Sequence, residues 1–340
     1  MKVFCYVNNH GTGHARRMQS LAAEGIRRGH TVIVAMGESL VDVPASQRIL
    51  LPPYDSGEAH QTHEVLHHLP QSPQTRSYIQ AITNAIHRAQ PDIIYVDVSA
   101  ELTLLSRLLG YKLATRLMHG DRSDRLHQIA YAASDLLVAF YPKDLQQDWL
   151  AKNHYPKTAF LGIPQALEHH QSYTDTSHAI SGKHAVALQS LGGNEDNRSI
   201  IEAYEQLALL NSDWKISVLG TVAETKISNL RFHGVVNNPE DYLHNASLII
   251  SSAGANAFSE SLSWQKPFLL VPEKRPFDEQ YQFAKMVEDS CGLKSVTITQ
   301  LPHTNLNNIA KQGQKSVLKA QAMLSANWTT AFWDKLEETA

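Results

Sequence analysis

The sequence predicts an α/β protein of two doubly wound domains that face each other across a cleft. The chain has 340 residues, more than one hydrophobic core usually spans. Continuous apolar segments alternate with amphipathic ones in both halves, which is typical of parallel sheets covered by helices. This alternation stops between residues 162 and 183, where proline, histidine, serine and threonine dominate. We therefore expect domains at 1–163 and 164–325, with a final helical segment at 326–340.

The first half begins with one strand–helix–strand unit. The strand KVFCYV is followed by a glycine-containing turn, a helix and the strand TVIVAM. Met18, Leu21, Ala22 and Ile26 are apolar residues that recur at helical spacing, which predicts this helix. The later predicted strands of this half are DIIYV, KLATRL, DLLVAF and TAFLG, separated by helices at 78–88, at 102–109 and from 124 onward.

The second half repeats the alternation and ends in a helix with an apolar face. Its predicted strands are HAVALQSL, KISVLG, LRFHG, SLIISS and PFLLVP, with helices at 200–210, near 242, at 256–262 and at 280–288. In the last helix, at 330–338, Phe332, Trp333 and Leu336 lie on one side. We expect this helix to return and pack on the N-terminal domain.

Composition excludes several classes of protein. A net charge of -3 gives no basic surface for duplex nucleic acid. Cys5 and Cys291 are too few and too far apart for a disulfide framework or a CxxC zinc site, so a reducing cytoplasm is expected. The apolar start VFCYV is too short for a signal peptide, and no run of about 18 apolar residues spans a membrane. Peripheral attachment to a membrane surface is an alternative that composition does not exclude.

The loop NNHGTGH, residues 8–14, connects the first strand to the first helix. Its glycines allow a tight turn, and ligands bind at the carboxyl ends of strands in such sheets. A histidine in the first turn of a helix is disfavoured as a cation, which suits His14 as a general base. A dinucleotide fingerprint fails at its third glycine, where Arg16 stands. The alternative is a glycine turn followed by a histidine that only caps the helix.

Two small-residue loops of the second half suit a phosphate. LGGN at 191–194 follows a strand, but a GGN turn alone is a weak signal, and it is not a Walker A loop. SSAGAN at 251–256 leads into a helix that carries Glu260, which combines a diphosphate site with a carboxylate for a ribose diol. The polar loop 272–280 ends in Glu279 and Gln280, residue types that bind sugar hydroxyls.

These blocks resemble those of a known family. SSAGANAFSESLSWQKPFLLVPEKRPFDEQYQFA is similar to the donor-binding motif of the UDP-glycosyltransferases of GT-B fold, two Rossmann-like domains, and in particular to glycosyltransferase family 28. GTGHARR resembles the N-terminal glycine–histidine loop of that family, and SLGGN a further block. Element order extends the resemblance loosely over the whole chain.

The resemblance implies roles for individual residues. His14 would be the general base, Glu260 would bind the ribose, and Glu279 with Gln280 would hold the donor sugar. Val235 and Val236 would contact the nucleobase. The remaining implied donor-binding residues are Gly13, Gly192, Gly193, Asn194, Ser252, Gly254, Ala255 and Asn256. Ala257 departs from the family pattern, because a threonine that could bind phosphate is common there.

Further residues follow first-domain strands. Asp97 comes after DIIYV and is expected to orient His14, although it could equally cap the next helix. His10, Thr12, His119 and Arg122 are expected on the acceptor side, Arg122 as a ligand for phosphate. For the loop that holds His119 and Arg122, a plain turn capped by Asp124 is the equal alternative.

The literal HExxH at His63, Glu64 and His67 offers a further alternative function, that of a zinc peptidase. On a helix it would bind zinc with the glutamate as base. It lies in a polar stretch between prolines with no identifiable third ligand, so an acceptor-side loop is the preferred interpretation, with His60, His63, His67 and His68 solvated or touching the acceptor.

The sequence thus predicts an inverting glycosyltransferase that needs no metal or cofactor. The donor is expected to be a nucleotide diphosphate sugar, with UDP as the nucleotide, and the acceptor a hydroxyl of a small or lipid-linked molecule. A nucleotide-sugar hydrolase, an epimerase and a non-catalytic sugar-nucleotide-binding protein on the same fold are the alternatives.

Overall fold

The structure, a computed structural model, describes residues 1–8, 12–39, 41–53, 69, 71–165, 182–189 and 197–340. The first domain has a parallel sheet in the order β3-β2-β1-β4-β5-β6-β7. Its strands are β1 (Lys2–Tyr6), β2 (Thr31–Met36), β3 (Gln47–Leu50), β4 (Ile93–Val96), β5 (Lys112–Leu117), β6 (Leu136–Ala139) and β7 (Thr158–Phe160). Its helices are α1 (Thr12–Arg27), α2 (Pro73–Ala89), α3 (Ala100–Leu108) and α4 (Arg125–Ala133).

A second parallel sheet follows a short strand β8 (Ile163–Pro164). It has the order β11-β10-β9-β12-β13 within the described part of the chain. Its strands are β9 (Lys183–Leu188), β10 (Trp214–Leu219), β11 (Leu230–Gly234), β12 (Leu248–Ser251) and β13 (Phe268–Leu270). Its helices are α5 (Asn197–Leu210), α6 (Glu240–His244), α7 (Ala255–Ser263), α8 (Glu279–Cys291) and α9 (Leu306–Gln321). The predicted fold class, two doubly wound α/β domains, is confirmed.

Strand β3 and helix α9 were not predicted from the sequence. Strand β3 is the edge strand of the first sheet, and its four residues are too short and polar to show a clear pattern. Helix α9 begins at Asn305, whose side chain accepts hydrogen bonds from the N–H groups of Asn307 and Asn308. An asparagine at this position is a sequence signal for the start of a helix, so α9 could have been predicted.

The chain crosses between the domains twice, and the two crossing segments pair with each other. Strand β8 runs parallel to β14 (Leu324–Ser325), with Ile163 opposite Leu324. The hydroxyl of Ser259, on α7, donates to the carbonyl of Pro164. The crossing is therefore bonded to the helix that was predicted to hold the diphosphate.

The final helix, α10 (Trp328–Thr339), packs on the N-terminal domain as predicted. Phe332, Trp333 and Leu336 are buried in the core beside α1. The indole N–H of Trp333 donates to the carbonyl of Leu21 at 2.8 Å. Of the apolar residues that predicted α1, Met18, Leu21 and Ala22 are buried, whereas the side chain of Ile26 is 40% exposed.

Each sheet has one point where the strand order reverses. In the first sheet β1 lies between β2 and β4, and in the second β9 lies between β10 and β12. Loops from adjacent strands diverge at such a switch point and leave a crevice for ligands. His14 lies in α1, the helix that follows β1, Asp97 follows β4, and the loop after β12 leads into α7.

No described helix combines the length and the apolar character needed to cross a bilayer.

Gly25 is expected to be intolerant of any side chain. A Cβ there would lie 2.1 Å from Cζ2 of Trp333. In an open helix Gly→Ala stabilises by about 1 kcal/mol, whereas here overpacking should make Gly25→Ala destabilising by roughly 1–3 kcal/mol. Urea unfolding measures the change. Trp333→Leu in the Gly25→Ala background should show favourable coupling in a double-mutant cycle. Simple stabilisation by Gly25→Ala would contradict the packing of α10.

Candidate functional site

His14 and Asp97 form a close pair at the switch point of the first sheet. His14 lies in the first turn of α1, and Asp97 follows β4 with its N–H donating to the carbonyl of Tyr6. Nδ1 of His14 lies 2.5 Å from Oδ2 of Asp97. Asp97 is 2% exposed and the His14 side chain 18% exposed. The predicted contact between the two residues is therefore present.

Asp97 does not cap the following helix. Ser99 is the N-cap of α3, and its hydroxyl accepts from the N–H of Leu102. The alternative interpretation of Asp97 as a helix cap was therefore wrong. In the loop after β5, by contrast, Asp124 does cap α4 by accepting from the N–H of His127.

Two buried arginines surround Asp97. Nη1 of Arg116, on β5, lies 3.3 Å from Oδ1 of Asp97 and 3.3 Å from Nδ1 of His14. Nη1 of Arg17, one turn after His14 on α1, lies 3.5 Å from the same Oδ1. Both guanidinium groups lie over the ring of Phe140, at 5.0 Å for Arg17 and 5.8 Å for Arg116.

These charges decide the ionisation of Asp97. Burial alone would raise the pKa of its carboxyl, but the charges of His14, Arg116 and Arg17 and the hydrogen bond from His14 hold that pKa below its ordinary value. An ionised carboxylate only accepts hydrogen bonds, so Nδ1 of His14 carries the proton of the contact. In the neutral imidazole Nε2 is then the unprotonated, basic nitrogen.

Helix α7 begins at Gly254 without a side-chain cap. The N–H groups of its first turn are therefore not taken up by a capping side chain, which suits an anion at this positive helix end. Ser252 is buried just before the turn, and Glu260 lies one turn after Asn256 on the same face of α7.

Gln280 holds two loops of the second domain together. Its Oε1 accepts from the N–H of Ala253 at 3.1 Å and from the N–H of Glu273 at 2.9 Å. The residue is buried, and its Nε2 faces Gly254. Gln280 was predicted to hold the donor sugar, but its carbonyl is already engaged with the backbone, so only the amide nitrogen is left for that role.

The two domains meet at the predicted site. Nδ2 of Asn256 donates to the carbonyl of Gly13 at 3.4 Å, and a Cβ on Gly13 would lie 3.2 Å from the same nitrogen. The start of α7 therefore faces the start of α1, which carries His14. A glycine at residue 13 permits this close approach.

A second contact between the domains joins the loop 119–124 to the loop before α8. The N–H of Asp121 donates to the carbonyl of Phe277 at 3.0 Å. The guanidinium of Arg122 lies 3.8 Å from the centre of the Phe277 ring and 3.4 Å from Oε2 of Glu279. Arg122 was predicted to bind acceptor phosphate and Glu279 to bind donor sugar, and in the structure the two pair with each other.

His119 is part of this contact. Its ring lies 3.9 Å from the ring of Tyr141 and 4.5 Å from that of Phe283, which belongs to α8. Burial, followed by the charges of Arg116 and Arg122, lowers the pKa of His119 to about 3. The ring is therefore neutral at physiological pH and bridges the domains as an aromatic group. Its acceptor-side role stays a prediction.

For the other predicted site residues the structure gives only their burial or backbone position, or does not describe them. Val235 is exposed and Val236 packs on the core of the second domain. The backbone of Thr12 begins α1. Several predicted residues lie outside the described part of the chain, namely His10, Gly192, Gly193, Asn194 and the HExxH residues His63, Glu64 and His67. Within the described ranges no cluster of three histidine, cysteine or acidic side chains could hold a metal.

Sequence reasoning missed the arginines and Phe277. Arg17 lies three residues after His14 and so shares its helix face, and Arg116 is a charged residue inside the otherwise apolar, buried strand KLATRL. Both features could have indicated from the sequence that these arginines belong to the site. Phe277 and Asp278 adopt left-handed backbone angles, φ 60° and φ 50°, and nothing in their sequence predicts them.

The chain is similar to known glycosyltransferases. Residues 211–338 match the model of the glycosyltransferase family 28 C-terminal domain. Comparison with curated proteins finds no match by sequence.

Solved structures share the whole fold. The glycotransferase of kitacinnamycin superposes with a TM-score of 0.72 at 16% identity, covering 99% of this chain and 98% of that one. MurG of Acinetobacter baumannii gives 0.65 at 12% identity over 99% and 100% of the two chains. A putative UDP-N-acetylglucosamine 2-epimerase of Listeria monocytogenes gives 0.65 at 12% identity over 100% and 97%. Together they show the GT-B arrangement.

His119 should make the protein less stable as the pH falls. Below the ordinary pKa of 6.5 the unfolded chain binds a proton that the native His119 refuses until about 3. The free energy of unfolding should therefore fall by up to about 1.4 kcal/mol per pH unit in this window from His119 alone. Urea unfolding at pH 7 and pH 5 should show a smaller loss for His119→Phe than for the wild type. Equal losses would show that His119 titrates normally.

Proposed function

We propose that this chain, in which a glycosyltransferase family 28 C-terminal domain completes a GT-B fold, transfers a sugar from a nucleotide diphosphate to an acceptor hydroxyl with inversion. The observation that carries the proposal is the 2.5 Å contact between His14 and Asp97. It lies where the start of α7 meets the start of α1, at the contact of Asn256 with Gly13.

The proposed reaction is a direct displacement. Nε2 of His14 removes the proton of the acceptor hydroxyl while that oxygen attacks the anomeric carbon. The bond from this carbon to the diphosphate oxygen breaks on the opposite face, and the diphosphate leaves with the electron pair. Asp97 fixes the imidazole through Nδ1 and stabilises the imidazolium that forms. Attack and departure on opposite faces invert the configuration.

The leaving diphosphate is proposed to bind at the start of α7. The N–H groups at Gly254, Ala255 and Asn256 and the positive helix end offset the developing negative charge without a metal. Glu260 lies one turn further on the same face, where its carboxylate can accept two hydrogen bonds from a ribose diol. A uridine nucleotide is proposed from the resemblance of this block to UDP-dependent enzymes.

Glu279 is proposed to hold the donor sugar. Its carboxylate lies 3.4 Å from the guanidinium of Arg122 and is a third exposed, so it can accept from a sugar hydroxyl while it stays paired. Arg122 would then place Glu279 rather than bind the acceptor itself.

A 2-epimerase acting on the nucleotide sugar alone is the second candidate. The fold similarity to the putative UDP-N-acetylglucosamine 2-epimerase favours it. An epimerase changes a UDP-sugar without an acceptor, whereas a transferase releases UDP in proportion to the glycoside formed. Chromatography of each reaction with and without a panel of alcohol and lipid-linked acceptors separates the two. We propose a hydroxyl of a small or lipid-linked molecule as the acceptor.

His14→Ala should abolish transfer while it preserves donor binding. Loss of a general base usually lowers kcat by about 100- to 10,000-fold, and the imidazole is not proposed to touch the nucleotide. UDP release measures kcat, and calorimetry measures the Kd for UDP. His87→Ala, on α2 away from the cleft, is the matched control. Near-normal kcat in His14→Ala would remove His14 from the mechanism.

Glu260→Gln should weaken UDP binding by roughly 1–3 kcal/mol, because a charged acceptor for the ribose diol is lost. Calorimetric titration with UDP and with uracil alone checks this, since the free base has no ribose and should be bound equally by both proteins. Glu202→Gln on α5, an exposed acid of the same domain, should leave both affinities unchanged. An unaltered Kd for UDP in Glu260→Gln would place the ribose elsewhere.

A further inference from the structure

Among the described residues in contact with His14 and Asp97, positive charge exceeds negative charge. Asp97 is the carboxylate in contact with the imidazole, and Arg17 and Arg116 both approach the same oxygen of Asp97, at 3.5 and 3.3 Å. One carboxylate cannot neutralise two guanidinium groups. Both arginines are more than nine-tenths buried, which makes the surplus charge costly.

The arginines are held in place without full hydrogen bonding. Nε and Nη1 of Arg17 and Nε of Arg116 have no hydrogen-bond partner among the described residues. Phe140 lies under both guanidinium groups and is itself packed edge-on against Trp328 of α10. Burial and the charge of Arg116 lower the pKa of Arg17 to about 10, so Arg17 remains a cation at neutral pH.

The other titratable groups around the pair do not compensate for this surplus. Burial raises the pKa of Cys5 to about 12 and raises the pKa of Tyr95 well above its ordinary value, so both are uncharged. His119 is neutral. Across the domain junction, Glu279 attracts the charge of Arg17, but its carboxylate is paired with a third guanidinium, that of Arg122. Among the described residues, Asp97, Arg17 and Arg116 are therefore the charged groups that contact one another and His14.

We infer that Arg17 and Arg116 are positioning residues for the proposed base: they fix the carboxylate of Asp97, and their two positive charges offset the attraction of that carboxylate for a second proton on the imidazole. Asp97 by itself would favour the imidazolium and so hold the base in its inactive form. Two cations at 3.3–3.5 Å from that carboxylate oppose this tendency. The inference rests on the proposed function of His14.

The experiment is a pH titration of ¹⁵N-histidine-labelled protein by NMR, with the His14 resonances assigned from their loss in His14→Gln. In Arg116→Gln, His14 should take up its second proton at a pH about one unit or more higher than in the wild type, because a unit charge at this distance shifts a titration by about one pH unit even in water and by more at a buried site. Arg17→Gln should shift it in the same direction, and Arg116→Lys should restore most of the wild-type behaviour.

Arg107→Gln is the matched control. Its Nη1 also lies 3.3 Å from a carboxylate, that of Asp135, but at an exposed site on α3. It should not move the His14 titration. If Arg116→Gln does not fold, as judged by circular dichroism, Arg17→Gln decides the question.

The outcomes separate this inference from the proposed function. Unchanged titration of His14 in both Arg116→Gln and Arg17→Gln overturns the inference even if His14→Ala is inactive. Near-normal transfer by His14→Ala overturns the proposed function whatever the arginine variants do. A shift in both glutamine variants with rescue by lysine supports the inference, because a purely structural defect would not be repaired by charge alone.

Discussion

The buried carboxylate of Asp97 is the interaction on which the described site depends. It lies at the end of β4, next to β1 in the sheet order, so the parallel register brings it beside the first turn of α1. Because it is ionised and buried, it must be satisfied, and His14, Arg17 and Arg116 converge on it from two further elements. The orientation of the imidazole follows from that requirement.

The same constraint links the C-terminal helix to the cleft. Helix α10 returns to the first domain and packs its aromatic side chains against Phe140, which in turn supports the two guanidinium groups. The crossing segments β8 and β14 pair with each other, and the carbonyl of Pro164 accepts a bond from α7. The second domain is thereby tied to the first near the place where Asn256 meets Gly13.

Much of the fold was readable from the sequence, because parallel strands buried on both faces give continuous apolar segments and glycine-rich turns mark their ends. The contact of His14 with Asp97 followed from topology: both residues come after neighbouring parallel strands, whose carboxyl ends lie side by side. Side-chain contacts between segments that are distant in sequence could not be predicted from the sequence. Gln280 bonds the backbone at Ala253 and Glu273, and Arg122 pairs with Glu279, and both contacts depend on how loops distant in sequence are placed. Left-handed Phe277 has no local signal at all.

The central claim is that a nucleotide diphosphate binds against the first turn of α7, across the cleft from His14. A crystal structure of the chain soaked with UDP tests this most directly. We expect phosphate oxygens within hydrogen-bond distance of the N–H groups at 254–256, with the ribose beside Glu260 and Nε2 of His14 open to the cleft. Density for UDP at any other place, or an α7 terminus that stays free of phosphate at saturating UDP, would contradict it.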